Sequence, residues 1–452
     1  MTPVAPIPAG ALTDLLVGLS VLLLLALVLG RLAQRLGLPA VVGELLTGVV
    51  LGPSLLGLVL PDVAGVLLPT DPEAMHLIDA VGQVGVLLLV GITGTHLDMA
   101  VLRRRRRAAV TVSLFGLLVP LALGVALGFV VASRGWQPGG SPTWVFALFL
   151  GVAMAVTALP VIAKTLADMR LLHRNIGQLT LAAGTVDDAV GWFLLSIVAA
   201  AATTGVSAGG VSFAVVALVG FVVIAAVLGR PVVRGVMRRA AALPGAGPSV
   251  ATAVVIILLG AVTTHALGME PVFGAFVAGL LVGVPGGADQ VKLAPLRTVV
   301  LAVLAPIFLA TAGLRVDLGA LAQPRVAVMA AVVLAVAIGG KFIGAYLGAR
   351  LSRLTRWEGL ALGAGMNARG VVEVIVAMTG LRLGVLDVAT YTTVVLVAIV
   401  TSVMAPPILR AAMRRVAHTD EEELRELEHR AWGAVTPATS AEGRAGAGED
   451  NR

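Results

Sequence analysis

Cysteine is absent from this 452-residue chain, which excludes disulfides, thiolate metal centres and cysteine nucleophiles. Histidine is scarce, six in all, and none shows the HExxH spacing of a zinc hydrolase. There is no GxxxxGK[ST] phosphate loop and no nucleophile–base pattern, so the chain is not expected to be an enzyme or to carry a cofactor. Charge is scarce too. Asp, Glu, Lys and Arg make up 13% of residues, against roughly 25% in a soluble domain.

What is present is apolar and small. Hydrophobic residues reach 58%, glycines number 54, and the mean hydropathy is +1.01. This describes an all-α polytopic membrane protein with lipid as its surroundings, in which small residues let helices approach closely. The N-terminal stretch MTPVAPIPAGALTD has no basic region and carries Asp14, so it does not read as a cleaved signal peptide.

A span needs roughly 20 apolar residues, and thirteen are expected: 11–30, 39–60, 75–97, 108–133, 143–167, 176–203, 211–229, 249–267, 271–286 (short), 298–314, 326–350, 357–380 and 389–411. Basic residues test this layout through the positive-inside rule. With the N-terminus outside and the C-terminus cytoplasmic, the inside segments hold 22 Lys and Arg residues, including the run Arg103–Arg107. The outside segments hold four: Arg134, Arg315, Arg325 and Arg382. Topology thus accounts for the net charge of +7 better than a nucleic-acid partner does. Residues 416–452 are expected to be a cytoplasmic tail, partly disordered, with a short acidic helix over 420–430.

Thirteen spans divide as six, one and six, and the two sixes are inverted relative to each other. Inverted repeats with broken helices at the midplane are a plan of secondary transporters. Corresponding irregularities should then appear in spans five and twelve. Span five contains Thr157-Ala158-Leu159-Pro160, where Pro160 has no N–H and interrupts the helix ladder. Span twelve contains Gly363-Ala364-Gly365-Met366-Asn367-Ala368-Arg369-Gly370, then Glu373. Arg369 and Glu373, four apart, can pair on one face and compensate the break. Such interruptions persist in lipid only where the freed backbone meets protein, water or an ion.

Charged residues at depth are few. Asp187 and Asp188 lie together near the middle of span six, and Lys341 lies within span eleven. Each costs roughly 2.5–3.5 kcal/mol on insertion scales, and ionisable groups at such depth mark ion or proton paths. Counting 1.5 Å per residue puts Thr157, Asp187, Lys341 and Asn367 all about 15–18 Å deep. A dehydrated monovalent cation takes oxygen ligands, which Asp188, Thr157 and freed carbonyls supply. Low dielectric favours the neutral form of a carboxylate, so a proton competes for the same oxygens. Lys341 can neutralise one aspartate and release its proton when that pair breaks.

These motifs resemble the cation:proton antiporter-2 family, within the sodium/proton antiporter fold. The resemblance runs through Gly30–Gly57, TALPVIAKTL at Thr157–Leu166, VDDAVGW at Val186–Trp192 and PVFGAFVAGLLVG at Pro271–Gly283. It continues through PIFLATAGLRVDL at Pro306–Leu318, GKFIGAYLGARL at Gly340–Leu351 and MNARGVVEVIV at Met366–Val376. The last is especially similar to the branch containing plant and bacterial potassium/proton exchangers. The resemblance implies scaffold and dimerisation helices 1–3 (1–97) and 8–10 (249–325), with core helices 4–6 (98–203) and 11–13 (326–415). Helix 7 (204–248) would link the halves, and the core would slide as an elevator in a homodimer in the plasma membrane. It further implies exchange of Na⁺ or K⁺ for H⁺, electrogenic, with Asp188 as the ion-binding carboxylate and Asp187 as partner of Lys341. A cation channel or regulated efflux pathway on the same fold is the alternative. A symporter for an organic anion fits poorly with paired aspartates.

Overall fold

The computed structural model describes residues 7–69, 72–95, 106–138, 140–204, 208–419 and 422–423. His96, Arg103–Arg105 and most of the helix expected over 420–430 lie outside the described residues. Among the described residues there is helix and no strand. In chain order the long helices are α1 (Ala9–Arg35), α2 (Ala40–Leu51), α3 (Pro72–Thr95) and α4 (Arg106–Ser133). Next come α5 in two halves (Thr143–Ala155, Leu159–Asp168), α6 (Asn175–Thr204) and α7 (Ala208–Ile224, a π turn at Ala225–Gly229, then Arg230–Ala242). The C-terminal part holds α8 (Gly247–Ala266), α9 (Pro271–Val282) and α10 (Gln290–Gly313). It ends with α11 (Pro324–Leu351), α12 in two halves (Arg356–Met366, Val371–Arg382) and α13 (Val388–Met413).

Eleven of the described helices are long and apolar enough to cross a bilayer, and the halves of α12, bent by 47°, make a twelfth. The expected count of thirteen is reached only by including α9. Its 12 residues span about 18 Å at 1.5 Å per residue, short of the roughly 30 Å hydrocarbon core. Nine of its 12 residues are nonetheless buried, so neighbouring helices cover most of it.

Close packing concentrates in two bundles. One brings together α4, α5, α6, α11, α12 and α13; the other brings together α1, α2, α3, α8, α9 and α10. Glycine makes the closest approaches possible, as lipid supplies no hydrophobic drive between helices. A Cβ at Gly344 of α11 would stand 2.3 Å from the Phe115 carbonyl oxygen of α4. In the second bundle, a Cβ at Gly279 would stand 1.9 Å from the Gly91 oxygen.

Helix ends follow local sequence. Thr355 and Glu358 form a reciprocal capping box at the start of α12, and Asp387 caps α13 by accepting from the Thr390 N–H at 2.8 Å. Both satisfy backbone donors that the helix itself leaves free. Lys292 closes the α7–α8 turn by donating to the carbonyls of Ala241 (2.6 Å) and Leu243 (2.8 Å).

The start of the tail is tied to α6. Buried Arg174 donates to the carbonyls of Val416 and Ala417, both at 3.1 Å, and pairs with Glu422 at 3.2 Å. It also lies 2.9 Å from His418 Nε2. Glu422 in turn accepts from the Asn175 N–H at 2.6 Å, at the first residue of α6. Burial works against the charge of Glu422, but the Asn175 and Thr419 N–H groups and Arg174 outweigh it. They hold its pKa below the ordinary glutamate value.

A candidate ion site where two broken helices cross

Both expected breaks are present. In α5 the chain leaves the helix at Val156 (φ −65°, ψ 147°) and re-enters at Leu159. Pro160 sits in the first turn of the second half, where a missing N–H costs nothing because that position has no helical acceptor. It therefore starts a half-helix instead of kinking a continuous one. In α12 the break covers Asn367–Gly370. The two breaks touch, the Ala158 N–H donating to the Ala368 carbonyl at 3.4 Å.

Two broken helices bring four sets of unpaired backbone groups together, and buried charges meet them. Lys341 donates to the Ala155 carbonyl at 2.6 Å, the last residue of the first half of α5. Arg369 donates to Ala153 (3.0 Å), Met154 (2.6 Å) and Ala337 (3.1 Å), and pairs with Glu373 at 2.9 Å. Ser402 of α13 donates to the Arg369 carbonyl. Cations thus stand at the carbonyl-rich C-terminal end of a half-helix, and Glu373 stands in the first turn of another. Both placements suit the helix dipole.

The adjacent aspartates have different surroundings, as a turn of about 100° per residue on an α-helix dictates. Asp187 is saturated. Its Oδ2 accepts from Lys341 Nζ at 2.8 Å and from the Thr157 hydroxyl at 2.9 Å, while Oδ1 accepts from the Ser113 hydroxyl at 2.5 Å. Asp188 is sparsely held. The Leu159 N–H hydrogen-bonds its carboxylate, but Oδ1 is buried with no partner among the described residues. Both polar atoms of the Asn367 side chain are likewise buried and without a partner. Thr157, Asp187, Asp188, Lys341, Asn367, Arg369 and Glu373 are all at most 1% exposed. A desolvated acceptor with no donor costs free energy, and a cation or a proton is what such an oxygen attracts.

The structure therefore gathers every residue singled out from the sequence. Pro160, Arg369 and Glu373 frame the crossing, Lys341 pairs with Asp187, and Asp188 and Asn367 offer free polar atoms. Thr157 lies beside the aspartates, with its proton directed to Asp187. Ser113 and Ser402 were not anticipated. A single serine in an apolar helix carries no motif, and counting depth from the arginine end of α4 places Ser113 only about 10 Å inside, short of the level of the others.

The model of the family described as sodium/hydrogen exchanger, transmembrane, matches residues 21–415. The Na⁺/H⁺ antiporter NhaS4 of Synechocystis sp. is 32% identical over 406 residues, covering 89% of this chain and 98% of that one. The Na⁺/H⁺-K⁺ antiporter GerN of Bacillus cereus is 28% identical over 394 residues, covering 87% and 94%. The K⁺/H⁺ antiporter 1 of Saccharomyces cerevisiae is 30% identical over 380 residues, covering 82% of this chain and 43% of that one. The chain spans about half the length of the yeast relative and of several Arabidopsis thaliana cation/H⁺ antiporters. Among solved structures, the sodium proton antiporter MjNhaP1 of Methanocaldococcus jannaschii superposes with a TM-score of 0.64 at 16% identity, covering 89% and 97% of the two chains; that likeness concerns the fold alone. On the family match and the breadth of these identities, the chain is a multi-pass membrane protein that belongs to the sodium/hydrogen exchanger family.

Proposed function

We propose that this protein exchanges a monovalent cation, Na⁺ or K⁺, for protons across a membrane, with Asp188 as the group that binds one or the other. The observation that carries this is the contrast between two neighbouring buried carboxylates. Asp187 is held by an ammonium and two hydroxyls, whereas Asp188 presents a buried oxygen with no partner. A carboxylate already neutralised by lysine has little attraction left for a cation; its neighbour keeps all of it. Asn367 supplies a further unpaired oxygen in the same buried cluster, and Thr157 lends a hydroxyl lone pair. The relatives with antiporter names support the same reading.

Movement follows from the two bundles. The ion-bearing bundle, α4–α6 with α11–α13, slides against α1–α3 with α8–α10, and α7 links the halves. The second bundle forms the dimer contact of a homodimer. In this reading the arginine-rich face is cytoplasmic and the N-terminus outside, and the membrane is the plasma membrane. Exchange is electrogenic, a second proton being taken where Lys341 and Asp187 part.

Proteoliposomes enclosing a pH-sensitive dye test the reading. Adding Na⁺, K⁺, Li⁺ or Rb⁺ in turn to vesicles with a preset pH gradient should dissipate it, and Asp188→Asn should abolish the response. Undiminished exchange by Asp188→Asn would overturn the assignment. Cation current without any pH change would point to the channel alternative.

A further inference from the structure

The two bundles meet differently on the two faces of the protein. On the arginine-poor face they are tied by side chains. Glu270, at the start of α9, accepts from Arg382 at 2.5 Å and from the Thr379 hydroxyl at 3.3 Å, both on the second half of α12. Nearby, the Tyr391 hydroxyl of α13 donates to the Ala312 carbonyl of α10 at 2.7 Å. The Asp317 N–H donates to Thr392 at 3.0 Å. On the arginine-rich face the bundles stand apart around a cavity of about 310 Å³. Gln34, Leu38 and Pro39 line it from one bundle, and Thr165, Pro406 and Arg410 from the other. Among the described residues, every side-chain hydrogen bond between the bundles lies on the arginine-poor face.

We propose that Glu270, with Thr379 and Arg382, forms a lock that holds the ion-bearing bundle in the state with its crevice on the arginine-rich side, and that this lock must open once in each transport cycle. The proposal rests on the exchange reading above and assigns positioning residues that do not touch the ion.

Three features single this pair out from the other ties. It is the only salt bridge between the bundles among the described residues. Its two sides are also unequal: the Glu270 side chain is 4% exposed and the Arg382 side chain 48%. When the bundle moves, Arg382 stays in water, whereas Glu270 loses both donors at once and must find water instead. Opening therefore carries a modest penalty, as for partly exposed ion pairs, which suits a contact broken and remade at every turnover. Finally, Thr379 and Arg382 are three apart on one helix face. The same rigid half-helix begins with Glu373 in its first turn, about 14 Å away at 1.5 Å per residue. A displacement of that rod moves the lock and the site together.

The test uses the full chain in proteoliposomes of defined orientation, with the apparent KM for the cation measured from each face. In Glu270→Gln the population shifts away from the state with its crevice on the arginine-rich side. The ratio of apparent KM on that face to KM on the other should rise about fivefold, the scale of a partly exposed ion pair. Arg382→Gln and Thr379→Val should move it the same way, Thr379→Val by less. The exchanged pair Glu270→Arg with Arg382→Glu should return the ratio toward the starting value. A second measurement uses the absence of native cysteine. Glu270→Cys with Arg382→Cys, linked by a short bis-methanethiosulfonate, should stop exchange until reductant is added. An unchanged KM ratio in a Glu270→Gln chain that melts at the original temperature would overturn the proposal. So would undiminished exchange by the linked protein. A lack of exchange by the unmodified chain would overturn the transport reading instead, so the two failures are separable.

Discussion

Replacing Lys341 and Asp187 singly and together should show whether their buried pair acts as one unit. In Asp187→Asn the amide keeps most of the hydrogen bonds. Its oxygen, in place of Oδ2, still accepts from Thr157 and Lys341, and the Ser113 hydroxyl turns to accept from the new NH₂. What is lost is the charge, which leaves a fully buried ammonium with only neutral acceptors. In Lys341→Met the carboxylate remains with two hydroxyls, and the Ala155 carbonyl loses its donor. Breaking one side of a buried pair costs about 3–5 kcal/mol, so each single change should destabilise by that amount. The double variant removes both charges of the pair and adds no new uncompensated one; its cost is the unpaired Ala155 carbonyl, about 1–3 kcal/mol. It should thus fall short of the sum of the singles by at least ~3 kcal/mol. Unfolding by SDS in mixed micelles, followed by tryptophan fluorescence, measures this, since Trp192 is buried on α6 beside the aspartates. Additivity to within ~0.5 kcal/mol, as for independent sites, would refute the pairing.

Gly344→Ala should destabilise by about 1–3 kcal/mol, the usual cost of overpacking, because its methyl would meet the Phe115 carbonyl at 2.3 Å. Gly339→Ala, in open space on the same helix, should be near neutral in the same melt, and equal effects would count against close packing of α4 and α11. Removing the Ser113 hydroxyl with Ser113→Ala takes one hydrogen bond from a charged acceptor, about 1.5–3 kcal/mol, and Ser113→Thr should recover most of it in the same unfolding assay. The tail tether gives a pH prediction. The pKa of Glu422 is depressed below its ordinary value of 4.5, so the tether's contribution is present above that value and is lost as pH falls through the lower, folded-state pKa. A spin label on exposed Ala417→Cys should stay immobile from about pH 8 to pH 5 and loosen only in stronger acid. Loosening between pH 8 and pH 6 would assign the tether to another group.

Charge in an apolar run is the loudest signal a membrane sequence carries, and it marked Asp187, Asp188, Lys341 and Arg369 without structural help. The two breaks were legible for the same reason: Pro160 and the glycines around Asn367 contradict a continuous helix. What stayed hidden were contacts made by ordinary residues across large sequence separations. Ser113 lies 74 residues from Asp187, Glu270 lies 112 from Arg382, and Arg174 meets Glu422 across more than half the chain. Their meaning comes from packing, and no local pattern encodes it. The spans were least legible at α9, where burial by neighbouring helices replaces the length that lipid would demand. Pro160 contradicts a continuous helix in the sequence but starts the second half of α5 in the structure, because position within the turn decides which effect of proline prevails.

The buried groups at the crossing have a simple arithmetic. Lys341 and Arg369 bring two positive charges; Asp187, Asp188 and Glu373 bring three negative ones. In their ordinary ionised forms they leave one negative charge in the low-dielectric interior. One monovalent cation on Asp188 would cancel it, and so would one proton. Under the proposed exchange, a second proton placed on Asp187 as Lys341 withdraws would make the returning bundle positive by one, so its return would respond to the membrane potential. The net charge moved per cycle would then be set at a single contact, the 2.8 Å bond between Lys341 and Asp187.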